Sequence, residues 1–388
     1  MSQPGAMRCS ICESNDTELF LERNGVPVHQ NVPFDDADAA RRTIRGDLHM
    51  AVCRKCGFVF NAAFDPEKIV YDEEYENSQI CSDVFSDHVD GLVRRIVDEL
   101  GVRNQTVVEV GCGKGYFLEK IVAADPGNRG IGFDPTYIGE LSREGGRLTF
   151  ERRFFGEDVR DVHPEAVVCR HVIEHVPDPA AMLRSIRAQL GERDALVVFE
   201  TPCVEWILRN RVVWDFFYEH CSLFSASSLA TLFERTGFRV DAVTHVFDGQ
   251  YLWLEARPAR GAEAVTNANG LVELCRAFGA HERELVASWS ERVQALARDG
   301  GVALWGAGAK GVTFANLIDP QRRWIDSVVD LNPRKQGRFV AGTGHPIVHY
   351  SAIRDRGVRN VILMNPNYER ENRALAAAGG LQVEFIVD

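Results

Sequence analysis

Segments with the period of strands and segments with the period of helices alternate through the middle of the chain. Between about residues 86 and 260, short apolar runs are separated by amphipathic stretches such as AAMLRSIRAQL and SSLATLFERTGF. This alternation predicts an α/β fold, in which helices cover both faces of a parallel sheet. The last two of seven predicted strands have no clear helix between them, so we expect a doubly wound sheet that ends in an antiparallel hairpin. In chain order the predicted strands are TVVEV, NRGIGFD, LTFERR, AVVCR, ALVVFE, VDAVTHVF and QYLWLEA.

A smaller α/β unit is predicted at the C-terminal end of the chain. A polar, Ala-rich stretch from about Asn267 to Arg298 has a long helical period and is suited to bridge two domains. Beyond it lie the strand-like runs VALW, SVVD, VILM and VEFIV, with helical or loop segments between them. Together with a first segment that contains Cys pairs, these patterns predict domains at residues 1–85, 86–260 and 261–388.

The composition narrows the range of partners. The chain has 388 residues, of which 45% are apolar and 26% are charged, as is ordinary for a protein with substantial cores. Its formal net charge is −12 and it contains no basic block, so a nucleic-acid partner is not expected. The start MSQPGAMRCS lacks the basic and apolar regions of a secretory signal, and no run approaches the roughly 18 apolar residues that span a bilayer. We therefore expect a cytoplasmic protein without a membrane partner.

Two Cys pairs of the same form stand in the first segment. Cys9 and Cys12 form CSIC, and Cys53 and Cys56 form CRKC within the hairpin-like stretch GDLHMAVCRKCGFVFN. Structural Zn²⁺ prefers thiolates at about 2.3 Å, and each C-x-x-C turn brings two sulfurs to one side of the ion. Because four protein ligands leave no open position, the pairs predict a structural zinc site. A redox-active C-x-x-C and chance are the alternatives, although neither requires a second matching pair.

The first of two Gly-rich turns, VVEVGCGKG, follows a predicted strand and precedes the helix YFLEKIV. Gly111, Gly113 and Gly115 allow the backbone to approach a ligand closely and leave amides exposed at a helix N-terminus. Glu109 opens the turn and Asp134 ends the next strand, so one carboxylate is available for an ammonium group and another for ribose hydroxyls. This pair suits S-adenosylmethionine, which carries both groups and no phosphate. A purely structural turn and a site for another nucleotide are the alternatives.

The second Gly-rich turn, WGAGAKG, contains G-x-G-x-x-G at Gly306, Gly308 and Gly311, and Asp330 follows at the end of a strand. By itself this spacing predicts an NAD site. The chain that remains has room for about four strands, which is too few for a full dinucleotide fold and a substrate domain. A half-Rossmann unit that binds part of the substrate, or simply covers the site, is therefore favoured.

Taken in order, the Cys pairs, the first turn with CRHVIEHVPDP, and the C-terminal unit resemble the sugar C-methyltransferases that act on nucleotide-linked keto-deoxysugars in antibiotic pathways. The resemblance covers nearly the whole chain, and GAGAKG followed by VDLNPRKQGRFVAGTGHPI is its specific C-terminal part. It implies a seven-stranded class I methyltransferase core of Rossmann-like form, S-adenosylmethionine as cofactor, and a small-molecule substrate, a nucleotide-linked sugar. Arg170 and His171 are then expected beside the cofactor, and Lys310, Lys335 and Gln336 at the substrate.

The family's catalytic motif is similar to Tyr-x-Glu-His and falls on FFYEHC, where Glu219 and His220 match it. Phe217 occupies the place of the family's Tyr, Tyr218 stands one residue later, and a second family His matches His175. Methylation at carbon requires removal of a proton next to a ketone and stabilisation of the enolate. We expect His220 to be the base and Glu219 to orient its ring. Tyr218 or His175 is then expected to donate a hydrogen bond to the enolate oxygen.

Other interpretations stay open at this point. The YEH stretch is also compatible with polar residues that border an apolar segment, and Cys221 beside it with simple packing. His171 and His175 form H-x-x-x-H, but no third metal ligand is evident in the sequence. At the level of function, the alternatives are O- or N-methyl transfer to another sugar or small natural product, and a zinc-bearing binding protein with an inactive methyltransferase core.

Overall fold

Three sheets, of four, eight and five strands, organise the part of the chain that the structure describes. This structure is a computed structural model, and the described residues are 7–69, 82–156, 159, 162–259, 267–268 and 270–387. Across these ranges, no helix has both the length and the apolar character needed to cross a bilayer. The predicted boundary at residues 260 and 261, and residue 388, lie outside the described residues. The predicted division at residues 85 and 86 stays a prediction.

An antiparallel sheet forms the N-terminal part. Its first elements are β1 (Thr17–Pro27), α1 (Ala37–Arg41), β2 (Arg45–Cys53) and β3 (Val59–Asn61). β2 and β3 form the hairpin that the sequence predicts around CRKC. β1 is an addition to the predicted elements, because its charged residues obscure the strand pattern. Its Arg23 is buried and donates from Nε to Glu282 Oε1 of a distant helix at 3.0 Å.

A doubly wound sheet forms the central part. In chain order its elements are α2 (Asp83–Arg94), β4 (Thr106–Val110), α3 (Tyr116–Ala124), β5 (Arg129–Phe133), β6 (Ser142–Arg143), β7 (Leu148–Glu151), β8 (Ala166–Arg170), α4 (Pro179–Leu190), β9 (Leu196–Pro202), α5 (Val204–Arg209), β10 (Ser222–Leu223), α6 (Ala226–Arg235), β11 (Phe238–Val246) and β12 (Tyr251–Pro258). The strand order is β11-β12-β9-β8-β4-β5-β7-β6, and β10 instead joins the N-terminal sheet beside β3. α2 and α3 cover one face of the central sheet, and α4 and α6 cover the other.

The central sheet confirms the predicted fold class. The seven predicted strands correspond to β4, β5, β7, β8, β9, β11 and β12. Strand β12 runs antiparallel to both β11 and β9, so the predicted hairpin closes this end of the sheet. Because the inner strands β4, β8 and β9 are buried on both faces, their sequences are continuous apolar runs that are easily recognised.

A long helix leads to a parallel sheet in the C-terminal part. Its elements are α7 (Leu271–Asp299), β13 (Gly301–Trp305), α8 (Ala309–Ile318), β14 (Ile325–Val329), β15 (Ile347–Val348), β16 (Val358–Leu363), α9 (Glu369–Ala378) and β17 (Glu384–Ile386). The strand order is β15-β14-β13-β16-β17, and all neighbouring pairs are parallel. The four predicted C-terminal strands are present, and β15 is an additional short strand.

Aromatic side chains join the central part to the C-terminal part. Trp214 lies 5.6 Å from Trp289 of α7 and 5.1 Å from Phe314 of α8 between ring centroids, and Trp289 lies 5.2 Å from Phe314. All three pairs are edge-to-face, an arrangement that adds to the stabilisation from burial. One hydrophobic core therefore continues from β1 and β2 through this cluster to the C-terminal sheet.

Replacement of Gly311 by Ala tests how tightly α8 packs on the second Gly-rich turn. A Cβ at Gly311 lies 1.9 Å from the carbonyl oxygen of Gly306, so the turn or the helix has to shift. Overpacking of this kind costs about 1–3 kcal/mol, although Ala otherwise favours helix formation. Gly311→Ala is expected to lower the midpoint of thermal unfolding by about 4 °C, as measured by circular dichroism. Gly308→Ala is the control, because its Cβ meets no atom within 4 Å; an equal midpoint for the two variants contradicts the packing argument.

Candidate active site

The first Gly-rich turn connects β4 to α3. Gly111, Gly113 and Gly115 have φ values of 71°, 53° and 80°, in the left-handed region that favours glycine. A Cβ at Gly111 would lie 2.2 Å from Val172, and one at Gly115 would lie 2.4 Å from the Phe150 ring. The turn therefore needs glycine for its backbone path and for close packing, and it leaves the first amides of α3 exposed to a ligand.

Two carboxylates flank this turn. Glu109 is 3% exposed, and its Oε2 has no hydrogen-bond partner among the described residues. Burial raises the pKa of Glu109 to about 8, although the positive charge of Arg170 opposes the shift. Asp134 receives a hydrogen bond from Gly113 N at 2.9 Å and another from Thr136 Oγ1 at 2.7 Å. The structure thus brings together the residues predicted at the cofactor, including Arg170, whose guanidinium lies 4.3 Å from the centroid of the Phe117 ring.

Glu200 is a site residue that the sequence prediction did not include. Its carboxylate is fully buried at the end of β9 and accepts from Arg170 Nε at 2.7 Å, while His88 Nε2 of α2 lies 2.6 Å from it. Burial disfavours its charge, but Arg170, His171 and His88 hold the pKa of Glu200 well below its usual value. An acidic residue in the otherwise apolar run ALVVFE was the available signal. Glu200 therefore fixes the side chains of Arg170 and His88 at the carboxyl edge of the sheet.

His171 lies between two buried carboxylates. Its Nδ1 is 3.4 Å from Glu174 Oε1 and its Nε2 is 3.4 Å from Glu200 Oε2. Burial alone lowers the pKa of an imidazole, but these two carboxylates outweigh it and raise the pKa of His171 to about 9. The residue also has a φ of 53°, which is unusual for a residue other than glycine. His171 is therefore a fixed, protonated group beside the cavity described below.

His175 and His220 lie next to each other. Their ring centroids are 4.8 Å apart and edge-to-face, and the Phe217 ring lies 4.0 Å from His220. Burial lowers the pKa of His220 well below its usual value, and His175, His171 and Lys310 act in the same direction. Burial also lowers the pKa of His175. Within the described residues, His220 Nδ1 is buried without a hydrogen-bond partner, so the neutral ring has a nitrogen available for proton transfer.

Tyr218 points away from these histidines, and its expected role as donor to the enolate oxygen is corrected. Its hydroxyl oxygen accepts from Asp65 N at 2.8 Å, and its ring packs on Gly46, where an added Cβ would lie 2.3 Å away. The reason is a turn that His220 N closes by donating to Phe217 O at 3.2 Å. The turn places residues 217 and 220 on one side and Tyr218 on the other.

Glu219 connects the same turn to the N-terminal part. The residue is 1% exposed, and its Oε2 accepts from Gln30 N at 2.8 Å. The His175 ring also hydrogen-bonds the backbone of Glu219. Glu219 is thus a fixed member of the site, and its predicted role in orienting the His220 ring stays a prediction.

A cavity of about 290 Å³ lies where the three parts meet. Its lining includes a side chain from the N-terminal part, a histidine cluster from the central part, and the second Gly-rich turn with its following helix. The main residues are Asn31, His171, Glu174, His175, Asp215, Phe217, His220, Gln250, Tyr251, Gly306, Gly308, Lys310, Asp330, Lys335, Asn365 and Tyr368. The histidines and the C-terminal turn therefore face one common space.

The predicted C-terminal site residues separate into two groups. Lys310 Nζ is 2.8 Å from Asp215 Oδ2, and Lys335 Nζ donates to Ala307 O at 3.1 Å; both lysines line the cavity. Gln336 instead donates from Nε2 to Asp330 O at 3.0 Å and is not among the described residues that line the cavity. Its amide holds the backbone after β14, and its expected contact with the substrate stays a prediction.

The four Cys of the two pairs come together as one buried cluster. Cys9 Sγ lies 3.6 Å from Cys56 Sγ, and Cys12 Sγ lies 3.4 Å from Cys53 Sγ. All four are free thiols, and their sulfurs lie within 4.8 Å of one another. The cluster is distant in sequence from the histidines but belongs to the same N-terminal part that holds Glu219.

Known protein families match the two larger parts of the chain. Residues 85–243 match the family described as a methyltransferase domain, and residues 262–387 match the C-methyltransferase C-terminal domain. The chain is a methyltransferase with a C-methyltransferase C-terminal domain. This methyltransferase is 28% identical to C-methyltransferase NovU of Streptomyces niveus, over 87% of its own chain and 84% of that protein. The predicted S-adenosylmethionine-dependent methyltransferase activity is thereby confirmed.

Other relatives match the methyltransferase only in part. Ubiquinone biosynthesis O-methyltransferase of Yersinia enterocolitica is 31% identical over 29% of this chain and 47% of that protein. Among solved structures, the 1,6-didemethyltoxoflavin-N1-methyltransferase of Burkholderia thailandensis is 18% identical, with a TM-score of 0.37 over 46% of this chain and 81% of that chain.

The buried carboxyl of Glu109 is expected to make stability depend on pH. Its pKa is about 8 in the folded protein and 4.5 without burial. Between these pH values the folded protein therefore binds one more proton than the unfolded chain. The stability that the protonated Glu109 provides is fully present below pH 4.5 and is lost as the pH rises through 8. Glu109→Gln cannot ionise, so without cofactor its unfolding midpoint is expected to exceed that of the wild type by about 3 °C at high pH.

Thermal unfolding followed by circular dichroism between about pH 5 and pH 9 measures this effect. The difference between Glu109→Gln and the wild type is expected to shrink toward the acidic end. Glu119→Gln on the exposed side of α3 is the control for the loss of one carboxylate from the same part of the chain. A pH-independent difference for Glu109→Gln shows that its carboxyl has an ordinary pKa.

Proposed function

We propose that this methyltransferase methylates a carbon atom of a nucleotide-linked keto-deoxysugar, through an enolate formed by a His base. The observation that carries the proposal is the common cavity, which is lined by His175 and His220 and also by the turn from Gly306 to Gly311. A substrate with a reactive sugar at one end and phosphates at the other matches a cavity with a proton acceptor on one wall and a helix N-terminus on another.

The first Gly-rich turn fits S-adenosylmethionine. Glu109 Oε2 is buried and unpartnered among the described residues, so it is available to an ammonium group. A Cβ at Gly113 would meet no atom within 4 Å, which leaves space beside the turn. Glu109, Asp134 and the first amides of α3 are the groups proposed to hold the cofactor. When bound, the cofactor supplies an electrophilic methyl group on a sulfonium.

His220 is proposed to remove the proton next to the ketone. Its depressed pKa keeps the ring neutral near neutral pH, so a ring nitrogen has the lone pair that proton removal needs. The electron pair of the broken C–H bond moves to the ketone oxygen, and the proton moves to His220. His175, whose ring centroid lies 4.8 Å from that of His220, remains a second group proposed to donate a hydrogen bond to the enolate oxygen. Glu219 holds the turn in position through Gln30 N.

The start of α8 is proposed to receive the phosphates. The first amides of this helix have no intrahelical acceptor, and Gly308 at its N-cap offers no side chain to them. Lys310 and Lys335 also line the cavity and carry ammonium groups. Asp330 is already engaged, since its Oδ2 accepts from Ala307 N at 2.8 Å. We therefore propose that this turn holds the phosphates of the substrate.

Replacement of His220 tests the proposed base. His220→Asn is expected to lower the exchange of the proton next to the ketone by about 100-fold. Exchange is measured by mass spectrometry on a panel of nucleoside diphosphate keto-deoxysugars in deuterated water. His281→Asn, on the exposed side of α7, is the control and is expected to exchange like the wild type.

Two results contradict this proposal in different ways. Undiminished exchange in His220→Asn means that another group is the base. Methyl transfer by the wild type to a hydroxyl or amine, without any proton exchange, shows instead that the reaction is O- or N-methylation.

We infer that Cys9, Cys12, Cys53 and Cys56 hold a structural zinc ion. Sulfurs at about 2.3 Å from a tetrahedral ion lie about 3.8 Å from one another, and the two measured pairs are 3.6 Å and 3.4 Å apart. The cluster is buried and all four of its positions come from protein, as in closed structural sites. Such an ion ties the segment before β1 to the hairpin of β2 and β3.

Removal of two ligands tests the zinc site. The double variant Cys53→Ser/Cys56→Ser is expected to lose nearly all of about one zinc ion per chain, as measured by elemental analysis of the purified protein. Its unfolding midpoint is also expected to fall, because metal binding contributes directly to folding. Cys275→Ser, a buried thiol in α7 outside the cluster, is the control and retains the ion. Equal zinc content in the two variants excludes the cluster as the metal site.

A further inference from the structure

The expected source of a phenol beside His220 is absent from the turn. Phe217 lies against His220 and has no hydroxyl, while the Tyr218 hydroxyl is bound to Asp65. We propose that Tyr251 is a catalytic residue, whose hydroxyl donates a hydrogen bond to the enolate oxygen. This proposal rests on the proposed function and names the group that stabilises the charge formed when His220 takes the proton.

The direction of β12 places Tyr251 at the catalytic edge. β12 runs antiparallel to β9, and Tyr251, its first residue, pairs with Pro202, the last residue of β9. The first residue of β12 therefore lies where β8 and β9 end, next to His171 and Glu200. Its side chain lines the same cavity as His220.

Neighbouring rings fix the side chain. The Tyr251 ring stacks on Phe247 at 5.2 Å with an interplanar angle of 3°, and the His171 ring meets it edge-on at 4.6 Å. The ring of His88 lies 6.1 Å away on α2. Because the ring is held by these contacts, little reorganisation is needed when charge develops on the substrate.

The hydroxyl is available to a ligand. In the described part of the chain, no backbone or side-chain group is hydrogen-bonded to Tyr251 Oη, although the hydroxyl belongs to a partly buried ring in a polar cavity. The Tyr251 side chain is partly buried and lines the cavity, so its hydroxyl can donate to a substrate oxygen there.

The charge environment keeps the phenol protonated. Burial raises the pKa of Tyr251 well above its usual value, and the nearby carboxylates of Glu200 and Asp215 add to the shift. The hydroxyl thus remains a donor while the C–H electron pair moves to the ketone oxygen and the proton moves to His220. Protonated His171, in contact with the same ring, provides positive charge beside the forming oxyanion.

The proposal is tested with Tyr251→Phe, which keeps the ring and removes only the hydroxyl. Proton exchange of nucleoside diphosphate keto-deoxysugars in deuterated water is expected to fall by about 100-fold, the usual loss for one oxyanion donor. The affinity for S-adenosylmethionine, measured by calorimetry, is expected to stay unchanged. Tyr350→Phe, in the C-terminal part and outside the residues that line the cavity, is the matched control and is expected to exchange at nearly the wild-type rate.

A second variant distinguishes loss of the hydroxyl from a change of shape. Phe217→Tyr in the Tyr251→Phe background adds a phenol beside His220, and partial recovery of exchange supports the need for a donor. Exchange at the wild-type rate in Tyr251→Phe alone overturns the role of Tyr251 and leaves the proposed function intact. If the wild-type protein exchanges no proton with any sugar of the panel, the proposed function and the role of Tyr251 fall together.

Discussion

Hydrogen bonds from the N-terminal part to the turn of Phe217–His220 are the constraint on which the candidate site depends. Asp65 holds Tyr218, Gln30 holds Glu219, and Asn61 N donates to Cys221 O at 2.9 Å. Just before the turn, buried Arg23 donates to Phe216 O at 3.0 Å. With β10 added to the N-terminal sheet, these contacts place His220 in the common cavity. The Cys cluster and its hairpin are therefore part of the support for the site, although they lie outside the cavity.

Two buried carboxylates at the edge of the central sheet show how the environment sets the charge. Among the described residues, one oxygen of Glu109 has no hydrogen-bond partner and its protonated form is favoured, whereas Glu200 is surrounded by Arg170, His171 and His88 and stays ionised. Burial acts on both in the same direction, so the difference comes from the charge of Arg170 and His171 near Glu200 and from the hydrogen bond of His88. This difference makes Glu109 the carboxyl group suited to a cationic ligand and makes Glu200 a fixed support for protonated His171.

The sequence predicts those features that depend on local pattern or on steric need. Inner strands such as β4 and β8 are recognisable because both faces are buried, and the Gly-rich turn is recognisable because Val172 leaves no room for a side chain at Gly111. β1 was missed because the partner of its buried Arg23, Glu282, is far away in the sequence. A strand is recognised from alternating apolar and polar residues, so a buried charged residue whose ion-pair partner is distant in sequence interrupts the pattern.

The direction of individual side chains was the harder part to predict. Whether residue 217 or 218 faces the cavity depends on the packing of Tyr218 against Gly46. The side chain of Gln336 donates to the backbone carbonyl of Asp330, a contact that the sequence motif does not indicate. Glu200 gains its role from His88 on α2 and from Arg170 and His171 at the end of β8. Tyr251 is different, since the predicted hairpin already implies that β12 begins at the edge where the parallel strands end.

The aromatic cluster between the central and C-terminal parts limits how such a chain can be recombined with its relatives. Trp214 precedes the turn of the site, whereas Trp289 and Phe314 come from α7 and α8. A crossover point between the central sheet and α7 would separate residues that form one contact surface. A chimera keeps that surface only if the segment around Trp214 is inherited together with α7 and α8. The segments that have to be exchanged together are therefore discontinuous in the sequence. One of them, around Trp214, leads directly into the turn that contains His220.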